Sequence, residues 1–328
     1  MAAPLRVGIL GAAAIAPTAL IQPARDVPGV EAFAVAARDP GRARAFAKRH
    51  GLARAHESYA SLLADPEVDA VYNPLPNSLH AEWTIRALEA GKPVLCEKPL
   101  AANAAEASRM ADASEKTGRP LMEAYHWRYH PLAARMEQVA FSGRIGRIRH
   151  LEMDMCIPIP RPGDIRFRLD LAGGSAMDMG CYCISILRHL TAAEPEVVAA
   201  RARLSSPGVD RYIQADLRFS EERSARLTAA LFAFTPPRIR LVVKGDEGEM
   251  RVTNPVAPHL FHRLKIRTSA GTTSETEPGR KSYVHQLEAF LALVRDGRSV
   301  PTDGRDGVRT MSVIDAIYEA AGFEPRGA

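Results

Sequence analysis

The chain has 328 residues, 46% hydrophobic and 25% charged, with a net charge of +5 at neutral pH. That length exceeds the usual single domain and predicts two, and the balance is that of a globular protein rather than a disordered or fibrous one. The basic excess is spread along the chain and suits an anionic cofactor as well as it suits nucleic acid, with no nucleic-acid motif formed, and charged residues interrupt every apolar run before it reaches transmembrane length.

Arg6 and the apolar run from Val7 to Ile21 imitate a secretory leader. Pro17 in its middle, and the repeating pattern that begins there, predict a buried strand and a helix instead. The strand is Leu5 to Leu10, ending in Gly11, with Pro17 in the first turn of the helix. Reading G-x-G-x-x-G from Gly11, the second and third glycines become Ala13 and Ala16. Small residues there, with Ala14 and Ile15 between them, still permit a tight turn and the approach of a pyrophosphate to a helix N-terminus.

A second strand spans Glu31 to Ala37, and Asp39-Pro40 caps a helix to about His50. At the end of that strand, where an acidic residue would bind the adenosine ribose, stands Arg38, which suits a 2′-phosphate; Asp39 is explained as the cap. The expected cofactor is therefore NADP in preference to NAD. A short helix from Ser58 to Ala64 and a strand from Val68 to Asn73 lead to Pro74-Leu75-Pro76, and Asn77 caps a helix to Ala90.

Lys92 to Cys96 is a short buried strand, and Asn103-Ala104-Ala105-Glu106 has the pattern of a helix N-cap with its reciprocal glutamate. Glu97 and Lys98 thus fall where a strand ends, the place where open α/β sheets bind ligands. Pro99 stiffens the backbone beside Lys98 and makes it a candidate for chemistry. A helix to about Thr117 and a strand from Pro120 to Ala124 complete an alternating series that predicts a doubly wound parallel sheet over residues 1–123.

From Tyr125 to Pro131 the chain packs aromatics, imidazoles and Arg128 into a crossover, with Tyr125, Trp127 and Arg128 as site-lining candidates. A helix to about Phe141 and a strand from Arg147 to Cys156 follow. The loop from Ile157 to Leu171 carries Pro158, Pro160 and Pro162 with Arg161, Arg166 and Arg168, and loops of this kind carry specificity. Gly173-Gly174 opens a helix to about Leu190 on which Asp178 and Tyr182, four apart, share a face. From Glu196 to about Thr268 successive strands alternate at period two, including Ile213 to Phe219 and much of Ala225 to Phe234, with a turn at Lys244 to Gly248. Helices from about Ser282 to Arg295 and from Asp306 to Ala321 follow. Residues 124–328 thus form an α+β domain with a large, open, mostly antiparallel sheet. The four cysteines, Cys96, Cys156, Cys181 and Cys183, show no paired metal spacing and imply reduced thiols in the cytoplasm.

Together, Gly11-Ala12-Ala13, Pro74 through His80, Glu97-Lys98-Pro99 and Gly173-Gly174 through Tyr182 resemble the glucose–fructose oxidoreductase/inositol dehydrogenase (Gfo/Idh/MocA) family over essentially the whole chain. Many relatives carry histidine where this chain has Tyr182. Tyrosine there looks like the branch of glucose–fructose oxidoreductase, dimeric dihydrodiol dehydrogenases and NADP-dependent aldose dehydrogenases. The resemblance implies that Lys98 sits near the nicotinamide and the reacting oxygen, that Tyr182 gives or takes the proton, and that Asp178 orients the substrate or the lysine. It implies that Leu75, Pro76, Asn77, His80 and Glu97 line the cofactor cleft with Arg128, and that Tyr125, Trp127, Arg166 and Arg168 join the substrate site. It further implies a homodimer or higher oligomer through the antiparallel sheet.

A free tyrosine has a pKa of about 10, and an adjacent lysine ammonium lowers it toward the range of a working base. The expected reaction is NADP-dependent oxidation of a sugar or polyol hydroxyl: aldose to lactone, or a trans-diol. The arginines of the 161–168 loop leave open a reductase of keto-sugars or sugar nucleotides. A dinucleotide sensor without turnover is the alternative from another class, against which the joint presence of Lys98, Asp178 and Tyr182 counts.

Overall fold

The computed structural model describes residues 3–159, 163–206, 208–232 and 237–327. Pro160, Arg161, Pro162 and Phe234, named above, lie outside the described residues. The chain divides into two units: Met1–His126 with Tyr283–Val308, and Trp127–Ser282 with Arg309–Ala328. A boundary at 123/124 therefore misses the return of residues 283–308 to the first unit.

In the first unit, β1 (Leu5–Leu10) leads through a turn and a π-helical stretch, Pro17–Ile21, to α1 (Gln22–Asp26). There follow β2 (Val30–Ala36), α2 (Pro40–His50), β3 (Arg54–His56), α3 (Tyr59–Ala64), β4 (Ala70–Asn73), α4 (His80–Glu89), β5 (Val94–Cys96), α5 (Ala104–Thr117) and β6 (Leu121–Glu123). The strands pair in parallel in the order β3-β2-β1-β4-β5-β6. The order reverses between β1 and β4, so the crevice beyond their carboxyl ends is the expected ligand position. β4 and β5 are buried throughout, as strands covered on both faces must be, which is why they read as unbroken apolar runs. Asp39 caps α2 by accepting from the Arg42 N–H at 3.1 Å, and Asn103 caps α5 by accepting from Glu106 N–H at 2.9 Å. The reciprocal contact of Glu106 goes one residue earlier than expected, to the Ala102 N–H at 3.1 Å.

Two expectations about this unit are corrected, and two of its features went unread. The three-residue β3 has too little pattern to be read as a strand. Asn77 lies inside a 3-10 turn, Asn77–Leu79, that leads into α4, instead of capping it. β4 begins at Ala70 and not Val68. The chain also returns to this unit after residue 282, where the Thr302 carbonyl accepts from Glu123 N–H at 2.8 Å.

The second unit holds α6 (Pro131–Phe141), β7 (Ile148–Cys156), α7 (Cys181–Thr191), β8 (Glu196–Ser206), β9 (Val209–Ser220), β10 (Arg223–Ala230), β11 (Arg238–Gly245), β12 (Gly248–Thr253), β13 (Arg263–Thr268) and β14 (Gly271–Glu275). Two helices, α8 (Ser282–Asp296) and α9 (Gly304–Ala320), complete the chain. The sheet order is β14-β13-β12-β11-β7-β10-β9-β8; β7 runs parallel to β10 and every other pairing is antiparallel. Alternation places the apolar side chains of the central strands together. Leu151, Met153, Leu227, Leu241, Val243, Met250 and Val252 are buried on one face, with α7 packed against β7 and β10. The other face carries cross-strand ion pairs, among them Arg240–Asp154 and Lys244–Glu152 at 2.8 and 2.7 Å.

The part of the loop from residue 163 to 171 forms 3-10 turns at Ile165–Phe167 and Leu169–Leu171. The helix expected from Gly173 opens with a π-helical turn, Ala176–Gly180, before α7 begins at Cys181. Asp178 thus lies on the π-helical turn and Tyr182 on the first turn of α7.

Candidate active site

In the first unit the groups collect at the carboxyl ends of β1, β2, β4 and β5. Gly11, at φ +96°, donates its N–H to the Ala36 carbonyl at 2.7 Å, and a Cβ there would stand 3.0 Å from Leu75 Cδ2. Only glycine meets both demands. Ala16 is fully buried, whereas Ala14 and Ile15 are exposed and Ala13 half-buried. The turn therefore presents small side chains and backbone to any ligand above it. At the end of β2, Arg38 and Arg42 are exposed, and both charges reach Tyr59, whose hydroxyl takes the Arg38 N–H. Burial raises the Tyr59 pKa, and the two guanidiniums oppose that rise.

Asn73 ties the β4 end together. Its amide donates to Thr84 Oγ1 at 3.0 Å and to the His80 carbonyl at 3.3 Å, and its Oδ1 accepts from Leu75 N–H at 3.3 Å. His80 is buried, its Nδ1 2.9 Å from the Pro99 carbonyl and its Nε2 2.7 Å from the Leu75 carbonyl. Burial, joined by the Lys98 charge, holds the imidazole pKa below its ordinary value against the pull of those carbonyls. Expected to line the cleft, His80 instead clamps the Pro74-Leu75-Pro76 segment to the Lys98-Pro99 turn from inside the fold. Pro76 and Asn77 are half-buried at its rim.

The Glu97-Lys98-Pro99 turn follows β5, with the Lys98–Pro99 peptide cis. Glu97 N–H donates to the Asn73 carbonyl at 3.0 Å, and Tyr72 Oη donates to Glu97 Oε1 at 2.7 Å. Glu97 Oε2 accepts from Lys98 N–H at 3.3 Å. Burial and the Glu97 charge together push the Tyr72 and Tyr283 phenols upward, which keeps them neutral donors. The Tyr283 ring also stacks on His126 with centroids 4.1 Å apart. Lys98 itself is half-buried. Tyr72 and Tyr283 were missed by sequence reasoning. Tyr72 reads as one more core residue of an apolar strand, and Tyr283 lies far along the chain.

In the second unit Asp178 and Tyr182 sit at the start of the α7 region, Asp178 half-buried and Tyr182 6% exposed. Arg166 Nε donates to Asp178 Oδ2 at 2.7 Å, while its Nη1 reaches the Asp164 oxygens at 3.1 and 3.3 Å. Burial works against the Arg166 charge, and Asp178 and Asp164 outweigh it, so its pKa is raised. Arg168 is exposed and paired with Asp170, Nε to Oδ1 at 3.0 Å. The two described loop arginines thus face three carboxylates. Trp127 is fully buried, its indole Nε1 without an acceptor among the described residues. Arg128, expected at the cofactor, donates to His189 Nδ1 and lies over the Trp127 ring at 5.8 Å. Tyr125, in the first unit, is wholly buried.

Residues 5–125 match the profile of an oxidoreductase family with an NAD-binding Rossmann fold, and residues 133–251 match the GFO/IDH/MocA C-terminal domain. A D-xylose 1-dehydrogenase (NADP(+)) from Haloferax volcanii is 37% identical, with 96% of each chain aligned. Among solved structures, a 3-ketoreductase from Actinomadura kijaniata in complex with NADP and TDP-benzene superposes with a TM-score of 0.90 at 31% identity, covering 97% of this chain and 98% of that one. An aldose–aldose oxidoreductase from Caulobacter crescentus, complexed with glycerol, superposes with a TM-score of 0.89 at 27% identity and the same coverage.

Proposed function

The chain belongs to the Gfo/Idh/MocA family of NAD(P)-dependent oxidoreductases, and on that premise we propose that it is an NADP-dependent dehydrogenase of an uncharged aldose or similar polyol. The observation that carries the choice of substrate is the pairing of Arg166 with Asp164 and Asp178 and of Arg168 with Asp170. A site built for the diphosphate of a sugar nucleotide needs cations with unmatched charge, because guanidinium–phosphate forks supply that recognition. Among the described residues the nearby carboxylates outnumber the loop arginines by one, which disfavours a dianion and suits hydroxyl groups that donate hydrogen bonds to carboxylate oxygens.

NADP fits the residues present. Gly11 leaves the space a Cβ would fill, Ala13 and Ala14 keep the turn low, and Asp39 is engaged as the α2 cap instead of facing a ribose diol. Arg38 and Arg42 supply the positive field a 2′-phosphate requires. When bound, the nicotinamide accepts or returns the hydride. Tyr182 is assigned to take the hydroxyl proton as hydride leaves the carbinol, and Lys98 to hold the reacting oxygen and favour the phenolate. Asp178, oriented by Arg166, is assigned to hold a neighbouring hydroxyl. Glu97, fixed by Tyr72, is assigned to the cofactor ribose.

Nicotinamide absorbance followed with NADP⁺ against a panel of aldoses, inositols and trans-diols tests this reading, with Lys98→Met as the control. Turnover that the variant loses supports it. Turnover confined to keto-sugars or sugar nucleotides with NADPH would replace it by the reductase. Assembly through the ion-paired face of the large sheet is part of the same proposal, and size-exclusion chromatography with light scattering reads it; a monomer at micromolar concentration would reject it.

A further inference from the structure

Asp210, at the start of β9, is a buried carboxylate that satisfies four donors. Its Oδ2 accepts from Ser175 Oγ at 2.6 Å and from Ala176 N–H at 2.8 Å. Its Oδ1 accepts from Tyr318 Oη at 2.9 Å and Arg326 Nη2 at 2.7 Å. The side chains of Asp210 and Arg326 are 1% and 4% exposed. Arg326 also lies over the Tyr318 ring at 4.2 Å and donates to the Gly208 carbonyl, so the one cation of the cluster is held from more than one side.

This carboxylate sits at the entry to the turn that carries Asp178. Ser175 and Ala176 are the residues just before it, and Asp178 N–H donates to the Gly174 carbonyl at 3.0 Å. Gly174, at φ +137°, passes so close that a Cβ would stand 2.1 Å from Asp210 Oδ1 and 2.7 Å from Tyr318 Oη. Gly174 therefore lets the chain reach this carboxylate, while a Cβ on Gly173 would stand 2.5 Å from the Arg166 carbonyl oxygen. The π-helical turn that follows starts at Ala176, whose carbonyl accepts from Cys181 N–H. Shifting Ala176 moves Asp178 and, one turn on, Tyr182.

A buried ion pair is weak evidence for stability, and its better-attested use is to fix one arrangement among several. We propose that Asp210 is a positioning residue for Asp178 and Tyr182, and that Tyr318 and Arg326, from α9 and the turn after it, hold Asp210 in register. One oxygen grips the turn that carries the site, and the other is gripped by a segment more than a hundred residues away in sequence. The inference rests on the roles proposed above for Tyr182 and Asp178.

Asp210→Asn and the milder Tyr318→Phe test it, each checked for folding by circular dichroism. Asp210→Asn cannot accept four donors and is expected to lower kcat on the order of 10²-fold, the scale of a small misplacement of a reacting group. It should displace the pH profile of kcat while leaving NADPH binding, read by fluorescence titration, near the wild-type value. Tyr318→Phe removes one donor and should give a smaller change in the same direction. With ¹³C-labelled tyrosine, and Tyr182→Phe to assign its signal, the Tyr182 resonance and its titration should shift in both variants, a readout that needs no substrate and stands even if the proposed reaction fails. Folded variants whose kcat, pH profile and Tyr182 resonance all match wild type would overturn the proposal. So would a loss in which only the melting temperature moves. If Asp210→Asn does not fold, Tyr318→Phe decides alone by the same readings.

Discussion

Arg166 and Asp178 meet at 2.7 Å, guanidinium Nε donating to carboxylate Oδ2, and Asp164 takes the other arm of the same arginine. On the proposed reading the arginine orients a carboxylate and does not receive a phosphate. Replacing Arg166 by Met removes a charge-assisted donor from Asp178. With its side chain 39% exposed the pair is partly screened, so a loss in kcat/KM for the sugar on the order of tenfold is expected. Arg166→Lys should recover little, because an ammonium does not reproduce the two-armed geometry. Steady-state kinetics on both variants check this, and a gain of activity toward sugar nucleotides would contradict the orienting role.

Lys98 and Tyr182 carry the sharpest expectations. Lys98→Met should abolish turnover in a protein that still folds, and activity within a few-fold of wild type would remove the role assigned to the lysine. Tyr182→Phe should cost on the order of 10²-fold or more in kcat, the scale of lost acid–base catalysis. A negligible effect would move the proton to another group, His126 or His130.

Local chemistry explains what was legible in the sequence. Asp39 and Asn103 announce their helices because a cap is a contact over three residues, and the Glu97-Lys98-Pro99 turn stands out because strand, turn and cap signals fall within a dozen positions. The alternation of β9 and β10 survives as a period-two pattern since one face is covered and the other ion-paired. What stayed hidden is non-local. Tyr283 reaches the Glu97 turn from a segment that returns after the whole second sheet has been built, and no spacing rule spans that distance. Gly174 reads only as a helix entry until Asp210 Oδ1 is found where its Cβ would be. His80 illustrates the converse: its position in a motif suggests the cleft, while its two carbonyl neighbours show an inward clamp.

Asp65 makes an acid-stability prediction. Its carboxylate is buried, which alone raises its pKa, but the hydrogen bond and charge of Arg54, at 2.8 Å, and the charge of His56 outweigh this and hold it below the ordinary value. A depressed folded-state pKa means that the stabilisation is fully present above the unfolded value, about 3.9, and is lost as pH falls through the lower folded value. Asp65→Asn should be less stable than wild type at neutral pH, and the gap should narrow as the medium is acidified below about pH 4. Urea unfolding at a series of pH values reads this directly. A gap that stays constant down to pH 3 would show that Arg54 and His56 contribute nothing through charge.

The proposed preference for NADP rests on Arg38. It stands exposed after β2, with Arg42 one turn on, and the carboxylate that would otherwise hold a ribose diol, Asp39, is committed to the Arg42 N–H. NADPH differs from NADH here only by the 2′-phosphate, so Arg38→Ala should weaken NADPH binding while barely changing NADH. The expected loss is on the order of tenfold or more, the range of a charge-assisted contact to phosphate at a half-screened surface. Adding Arg42→Ala should deepen the loss for NADPH alone, and raising ionic strength should narrow the preference because exposed charges are screened. Fluorescence titration of both nucleotides against the single and double variants gives the ratio. Equal losses for the two would mean that the arginines act on the common part of the dinucleotide, and the case for NADP from this end of β2 would fall.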